Sequence, residues 1–234
     1  MILVLSNVAN ESANQLVEMF PPEAASLVTA SNIHASFKIA VSVANFEASE
    51  LTIGGVRVSP AEISGVISTI AHFFPQEFYY IEPADREYVC AEVSAFFVYF
   101  LSELRCKKLN PPSSRALAGL GMHRMESMKA AHRFGIPVWP ADLKNGVPVE
   151  PAAREDVQSF RATIVGNSIV EEDAPERVRA YLQALSRAFS MPYLCADFVS
   201  RGDGEYFLGG LWSVPDITIP ANREAIVAFM KRAT

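Results

Sequence analysis

The side chains able to do chemistry are few and widely spaced. Cys90, Cys106 and Cys195 share no clustered spacing, and neither do His34, His72, His123 and His132, so no zinc site or disulfide framework is encoded. His123 and His132 lie on one expected helix but on opposite faces of it, because nine residues make two and a half helical turns. Cys90 sits in an aromatic helical pattern and Cys195 in an apolar strand pattern, and both read as small buried hydrophobes. Cys106 stands between Arg105 and Lys107, which favour a thiolate, yet no histidine accompanies it and the inert reading is preferred. What remains is anion chemistry. Arg161, in a strand-like run, is suited to a carboxylate or phosphate, although strand arginines more often pair with a neighbouring acid. Arg124 and Lys129 could meet an anion from a helix face, with solvation as the default. Gly119 and Gly121 form too short a glycine pattern to cradle a phosphate and suit close packing.

The bulk of the chain narrows the class. Its 234 residues suffice for one large or two small domains, and half of them are hydrophobic, which opposes disorder. A net charge of −6, with no basic stripe interleaved with aromatics, disfavours nucleic acid as a partner. No apolar run reaches the roughly 18 residues needed to cross a bilayer, and Glu92 interrupts the longest, Val89 to Leu101. Met1 to Leu5 lacks a basic leader and a cleavage site, so a reducing cytoplasm is the expected location.

The elements that position these groups follow from periodicity. Ile2 to Leu5 and Ser26 to Ala30 read as strands around a helix from Glu11 to Phe20, which Pro21 and Pro22 stop. Phe37 to Phe46 and Leu51 to Val58 alternate as hairpin strands, with a turn at Gly54-Gly55. Ser59 to Glu62 reads as a capped turn of helix, Gly65 to Phe74 as a strand, and Pro83 to Leu104 as the longest helix. From Leu109, two prolines end a strand, Ser113 and Ser114 offer helix caps, and the spacing predicts a helix to Phe134 closed by Gly135. On it, Met122, Met125 and Met128 form a stripe more typical of a core than of a binding groove. A strand at Ile136 to Trp139 completes that αβ unit. Ala141 to Asp156 reads as a loop or linker, and Phe160 to Val170 as a hairpin about Gly166-Asn167. Glu171 to Glu176 reads as an acidic entry to a helix, with Pro175 suited to its first turn, that runs to about Ser190; strands at Tyr193 to Val199 and Glu205 to Leu211 and a terminal helix at Ala221 to Arg232 follow.

In this order the segments resemble the ATP-grasp ligases, in particular the branch that modifies peptides. ILVLSN and ELTIGGVRV look like its pre-ATP-grasp domain. YVCAEVSAFFVYFLSELRCKKLNPPSSRALAG is similar to its long helix and Asn-Pro strand end, and MKAAHRFGIPV to the approach to the nucleotide-binding half. FRATIVGNSIV is similar to its Arg-x-x-x-Val-Gly hairpin, and CADFVSRGDGEYFLGGLWSVPD to the closing strands that carry metal ligands.

The resemblance also defines what is missing. The family implies a subdomain with a nucleotide-facing lysine between the Gly-Ile-Pro strand and the arginine hairpin. Here only Pro140 to Ser159 fills that interval, and Lys144 is its sole lysine. Asp197 matches one metal-binding acid, but Gly209-Gly210-Leu211 stands where the family has Glu-x-Asn. The expected fold is therefore α/β: a pre-ATP-grasp-like mixed sheet with helices over 1–140, a linker over 141–159 replacing the central nucleotide-lid subdomain, and a shortened ATP-grasp-like α+β half over 160–234. The expected function is a degenerate, non-catalytic binding or scaffolding subunit in peptide modification or cofactor biosynthesis, with no cofactor. Its expected partners are a second copy or a pathway protein, with a small molecule or peptide as ligand, and neither nucleic acid nor membrane. The alternative is an ATP-dependent carboxylate–amine ligase with a relocated or partner-completed site. In it Arg161 and Lys144 would meet ATP, Asp197 would hold magnesium, and Glu205 would assist.

Overall fold

The computed structural model describes the chain except residues 8–9, 43, 140–141, 145–146, 150–157, 201, 203 and 233–234, and describes only the backbone at 36, 142–144 and 147–149. In chain order the elements are β1 (Ile2–Ser6), α1 (Glu11–Glu18), β2 (Ala25–Thr29), α2 (Ile33–Ser36), β3 (Phe37–Ala40), β4 (Glu50–Ile53), β5 (Val56–Val58), β6 (Gly65–Ser68), α3 (Arg86–Glu103) and β7 (Lys107–Lys108). They continue with α4 (Arg124–Arg133), β8 (Asp142–Lys144), β9 (Val147–Val149), β10 (Gln158–Val165), β11 (Ser168–Ile169), α5 (Glu176–Phe189), β12 (Tyr193–Ser200), β13 (Tyr206–Trp212) and α6 (Pro220–Lys231). No helix among the described residues is long and apolar enough to cross a membrane. Two units result, one of 1–121 with 214–234 and the other of 122–213.

The first unit is built on a parallel sheet of order β2-β1-β6-β7. Every residue of β1 is buried, as a strand covered on both faces requires. Asn10 starts α1 by accepting the Ala13 N–H at 2.8 Å. Beside this sheet β3, β4 and β5 form an antiparallel meander whose turn uses Gly54 and Gly55 at positive φ. The two are sealed by aromatic side chains. Phe97 of α3 lies 5.2 Å from Phe37 and 5.4 Å from Phe73 between ring centroids, and Phe100 lies 5.6 Å from Phe37. Helix α6 returns to this unit: the Lys107 ammonium sits 4.4 Å over Phe229, and Met230 Cε occupies the space a side chain at Gly65 would need.

The second unit is an antiparallel sheet of order β11-β10-β12-β13, backed by α5, with α4 packed against β13. The hairpin expected at Gly166-Asn167 forms, joining β10 to β11. On the α5 side, Tyr181 stacks on Phe198 at 6.2 Å.

Three local expectations are corrected. The helix anticipated from Ser113 begins only at Arg124, because Gly119 and Gly121 take φ of +76° and +55°, which no right-handed helix accommodates. Its cap is His123, whose Nδ1 accepts the Met125 N–H while the Glu126 carboxylate accepts the His123 N–H at 3.0 Å. The strand at Ile136 to Trp139 reduces to a single parallel bridge between Val138 and Leu208. The interval anticipated as a loop contains a short hairpin of β8 and β9, with Lys144 paired to Val147 at its inner end.

Candidate functional site

Strands β10 and β12 run antiparallel in a register that sets Arg161 directly opposite Asp197. The guanidinium closes on the carboxylate as a fork, Nε donating to Oδ1 at 2.7 Å and Nη2 to Oδ2 at 3.1 Å. On its other side Asp197 is in register with Gly210 of β13, and the ladder shifts at the next pair, Phe198 with Leu208, leaving Gly209 as the extra residue of a bulge. The two side chains that sequence reasoning singled out in these strands are thus brought together, with a glycine completing the row.

Two further residues shape that row: Trp212, which sequence reasoning did not single out, and Arg124, which it read as a helix-face candidate for an anion. Trp212 lies two positions beyond Gly210, so strand alternation returns its indole to the same face. The Arg161 guanidinium stacks over it at 5.4 Å. A Cβ placed on Gly210 would fall 2.4 Å from the indole Cη2, so the ring occupies the space that a side chain would need. Arg124, at the start of α4, donates from Nε to the Gly209 carbonyl at 3.0 Å and fixes the bulge from the helix side. The period-two spacing of Gly210 and Trp212 was visible in the sequence as a signal; the reach of Arg124 was not.

Two residues before Asp197 on β12 and in register with Trp212, Cys195 is buried, and burial pushes its thiol up to about 11, with a Thr163 hydrogen bond and the Arg161 charge opposing. Cys106 is likewise raised by burial, so its basic neighbours do not make it a thiolate. Glu205 is exposed just before β13. Asp216 belongs to the other unit, where its Oδ1 accepts the Thr218 N–H and hydroxyl. For Lys144 only the backbone is described.

No family model matches the sequence, and no curated protein matches it. Solved structures do. The macrocyclase MdnC bound with precursor peptide MdnA, from Microcystis aeruginosa MRC, superposes with a TM-score of 0.73 at 14% identity, over 98% of this chain and 99% of that one. The ATP-grasp ligase PsnB, complexed with a phosphomimetic variant of its minimal precursor, Mg and ADP, gives 0.71 at 10% identity over 98% and 97%. A RiPP-associated ATP-grasp ligase of Chryseobacterium gregarium, in complex with ADP and a leader and core peptide, gives 0.67 at 11% over 97% and 95%.

The chain has the ATP-grasp ligase fold. Within it, the β10–β12–β13 row is where a magnesium nucleotide would be tested for fit. Magnesium asks for oxygen ligands in near-octahedral array. Asp197 brings one carboxylate, and both of its oxygens already accept from Arg161. Gly209 and Gly210 bring no side-chain oxygen, and among the described residues no three His, Cys, Asp or Glu side chains gather to hold a metal. This donor set does not fit the ion. What the arrangement can do is present an arginine, an acid and an indole as one partly exposed surface.

Proposed function

We propose that this chain is a non-catalytic ATP-grasp-like subunit that binds or scaffolds a peptide substrate rather than activating it with ATP. One observation carries this reading. The positions where the resemblance puts the metal-binding Glu and Asn are Gly209, the bulge residue beside Asp197, and Leu211, neither with a side-chain oxygen, and the acid that remains is paired with Arg161. Phosphoryl transfer depends on neutralising developing charge with metal ions and cations, and a single carboxylate paired with Arg161, beside glycines at 209 and 210, supplies too few metal ligands for it. The short interval between Pro140 and Ser159, which carries one lysine, supports the same conclusion, because it is too brief for a further sheet layer. A peptide is the favoured ligand class because the MdnC structure holds a precursor peptide and the Chryseobacterium ligase a leader and core peptide. A second copy of the chain or a pathway protein is the proposed partner, with sedimentation at micromolar concentration as its check.

Calorimetry with ATP and magnesium tests the proposal. The expected result is no binding tighter than about 1 mM. Affinity in the micromolar range that disappears in Asp197→Ala would replace this reading with a ligase whose site is relocated or completed by a partner.

A further inference from the structure

The second unit contains a cleft of about 390 Å³ between the last two turns of α5 and the turn that joins β10 to β11. Gln183, Ser186 and Arg187 stand three and four residues apart on one face of the helix, and Ile164, Gly166 and Asn167 close the other side. The floor is tied down at several points. Gly166 N–H donates to the Pro192 carbonyl at 2.7 Å, Ser186 Oγ to the Met191 carbonyl at 2.8 Å, and Met191 N–H to the Ser186 carbonyl at 2.9 Å. Ser190, which ends α5 at a φ of +54°, donates its N–H to the Arg187 carbonyl at 3.2 Å. The cleft is therefore preformed, and a ligand would not have to order it.

Those contacts also decide its chemistry. The carboxyl end of a helix presents carbonyl oxygens that repel an anion, but along this cleft they are already engaged. The Gln183 carbonyl accepts from Arg187 Nε at 3.2 Å, and the carbonyls of Ser186, Arg187, Met191 and Pro192 accept from the groups just named. Donors are left over. The Asn167 and Gln183 side-chain amides have no hydrogen-bond partner among the described residues, and of the Arg187 guanidinium only Nε is used. Among the described residues neither Asp nor Glu lines the cleft, and Ile164 is its one large apolar side chain.

We propose that this cleft binds a small hydroxylated molecule carrying an oxyanion, the oxyanion at Arg187 and the Gln183 amide and the hydroxyl groups against Asn167 and Ser186. A guanidinium whose Nη atoms are unused meets carboxylate and phosphate alike, and polar walls accept hydroxyl groups without the cost that apolar walls impose. This goes beyond the proposed scaffolding role and uses none of the residues that support it. The same chemistry is available from a sugar acid and from a sugar phosphate.

Titration of the full chain with gluconate, glucose 6-phosphate and uncharged glucitol, followed by amide NMR shifts, tests it. Saturable shifts at 164–167 and 183–187 are expected with an anionic probe, weakened roughly tenfold by Arg187→Gln and with glucitol, as loss of one charge-assisted contact implies. Gln183→Trp, which fills the cleft from an exposed helix position, is expected to abolish them and carries the test if the arginine variant does not fold. Arg177→Gln, exposed at the opposite end of α5, should leave the affinity unchanged. Tighter binding of glucose 6-phosphate identifies a phosphate as the source, tighter binding of gluconate identifies a carboxylate, and equal affinity identifies a site that accepts either. Absence of shifts at these positions, equal binding of glucitol, an equal loss in Arg177→Gln, or unchanged affinity in both cleft variants overturns the proposal.

Discussion

Arg161 and Asp197 satisfy one another across β10 and β12, with two N–H to oxygen contacts of 2.7 and 3.1 Å and the Trp212 indole stacked on the guanidinium. The arginine side chain is 55% exposed and the aspartate 32%, so solvent screens the pair. Such pairs add little to stability, and a double-mutant cycle of Arg161→Ala and Asp197→Ala in urea is expected to return a coupling of about 0.5–1 kcal/mol. A coupling several times larger would mean the pair is more desolvated than this exposure indicates.

Placing a side chain at Gly210 is expected to be costly. The new Cβ meets the Trp212 ring, so Gly210→Glu should destabilise by about 1–3 kcal/mol in denaturant unfolding. Adding Trp212→Ala removes the clash and should recover part of that loss. No recovery in the double variant would show that the indole is not the obstacle.

The first unit depends on its aromatic seal. Phe97 is 1% exposed and contacts the rings of Phe37, Phe73 and Phe100, so Phe97→Ala should cost about 3–5 kcal/mol, measured as a shift in denaturation midpoint. The exposed Tyr88 on the same helix supplies the contrast, with a change within about 0.5 kcal/mol on substitution by alanine.

The Cys195 thiol predicts a pH dependence of known sign. Its folded value, about 11, lies above the ordinary 9.0 because burial penalises the thiolate. The unfolded chain therefore releases this proton first, and the stability attached to it, complete below 9.0, is lost as pH rises toward about 11. Wild type should lose stability over that interval more steeply than Cys195→Ala. Parallel loss in the two proteins would refute the assignment. Iodoacetamide should also leave Cys195 unmodified in the folded protein at neutral pH.

Most elements were legible because their signals are local. Helix α3 and the hairpin at Gly166 declared themselves through apolar period and turn chemistry, and α5 appeared close to its expected bounds. The helix start at Ser113 misled because serines before an apolar run imitate a cap, while the left-handed glycines that forbid a helix there act through a backbone held by distant contacts, Leu117 to Ala71 among them. The hairpin of β8 and β9 was obscured by proline and charge, which read as linker composition.

For the candidate site the division is sharper. The residue types were decided along the chain: one acid at Asp197, glycines at 209 and 210, and a lone lysine in the short interval, none of which folding can change. Only the tertiary structure decided that Arg161 closes on Asp197 and that Trp212 covers Gly210. Arg161 and Asp197 are 36 residues apart, and their meeting depends on which strands pair and in what register. Register is set by the whole buried face at once, so it is not written in any one segment.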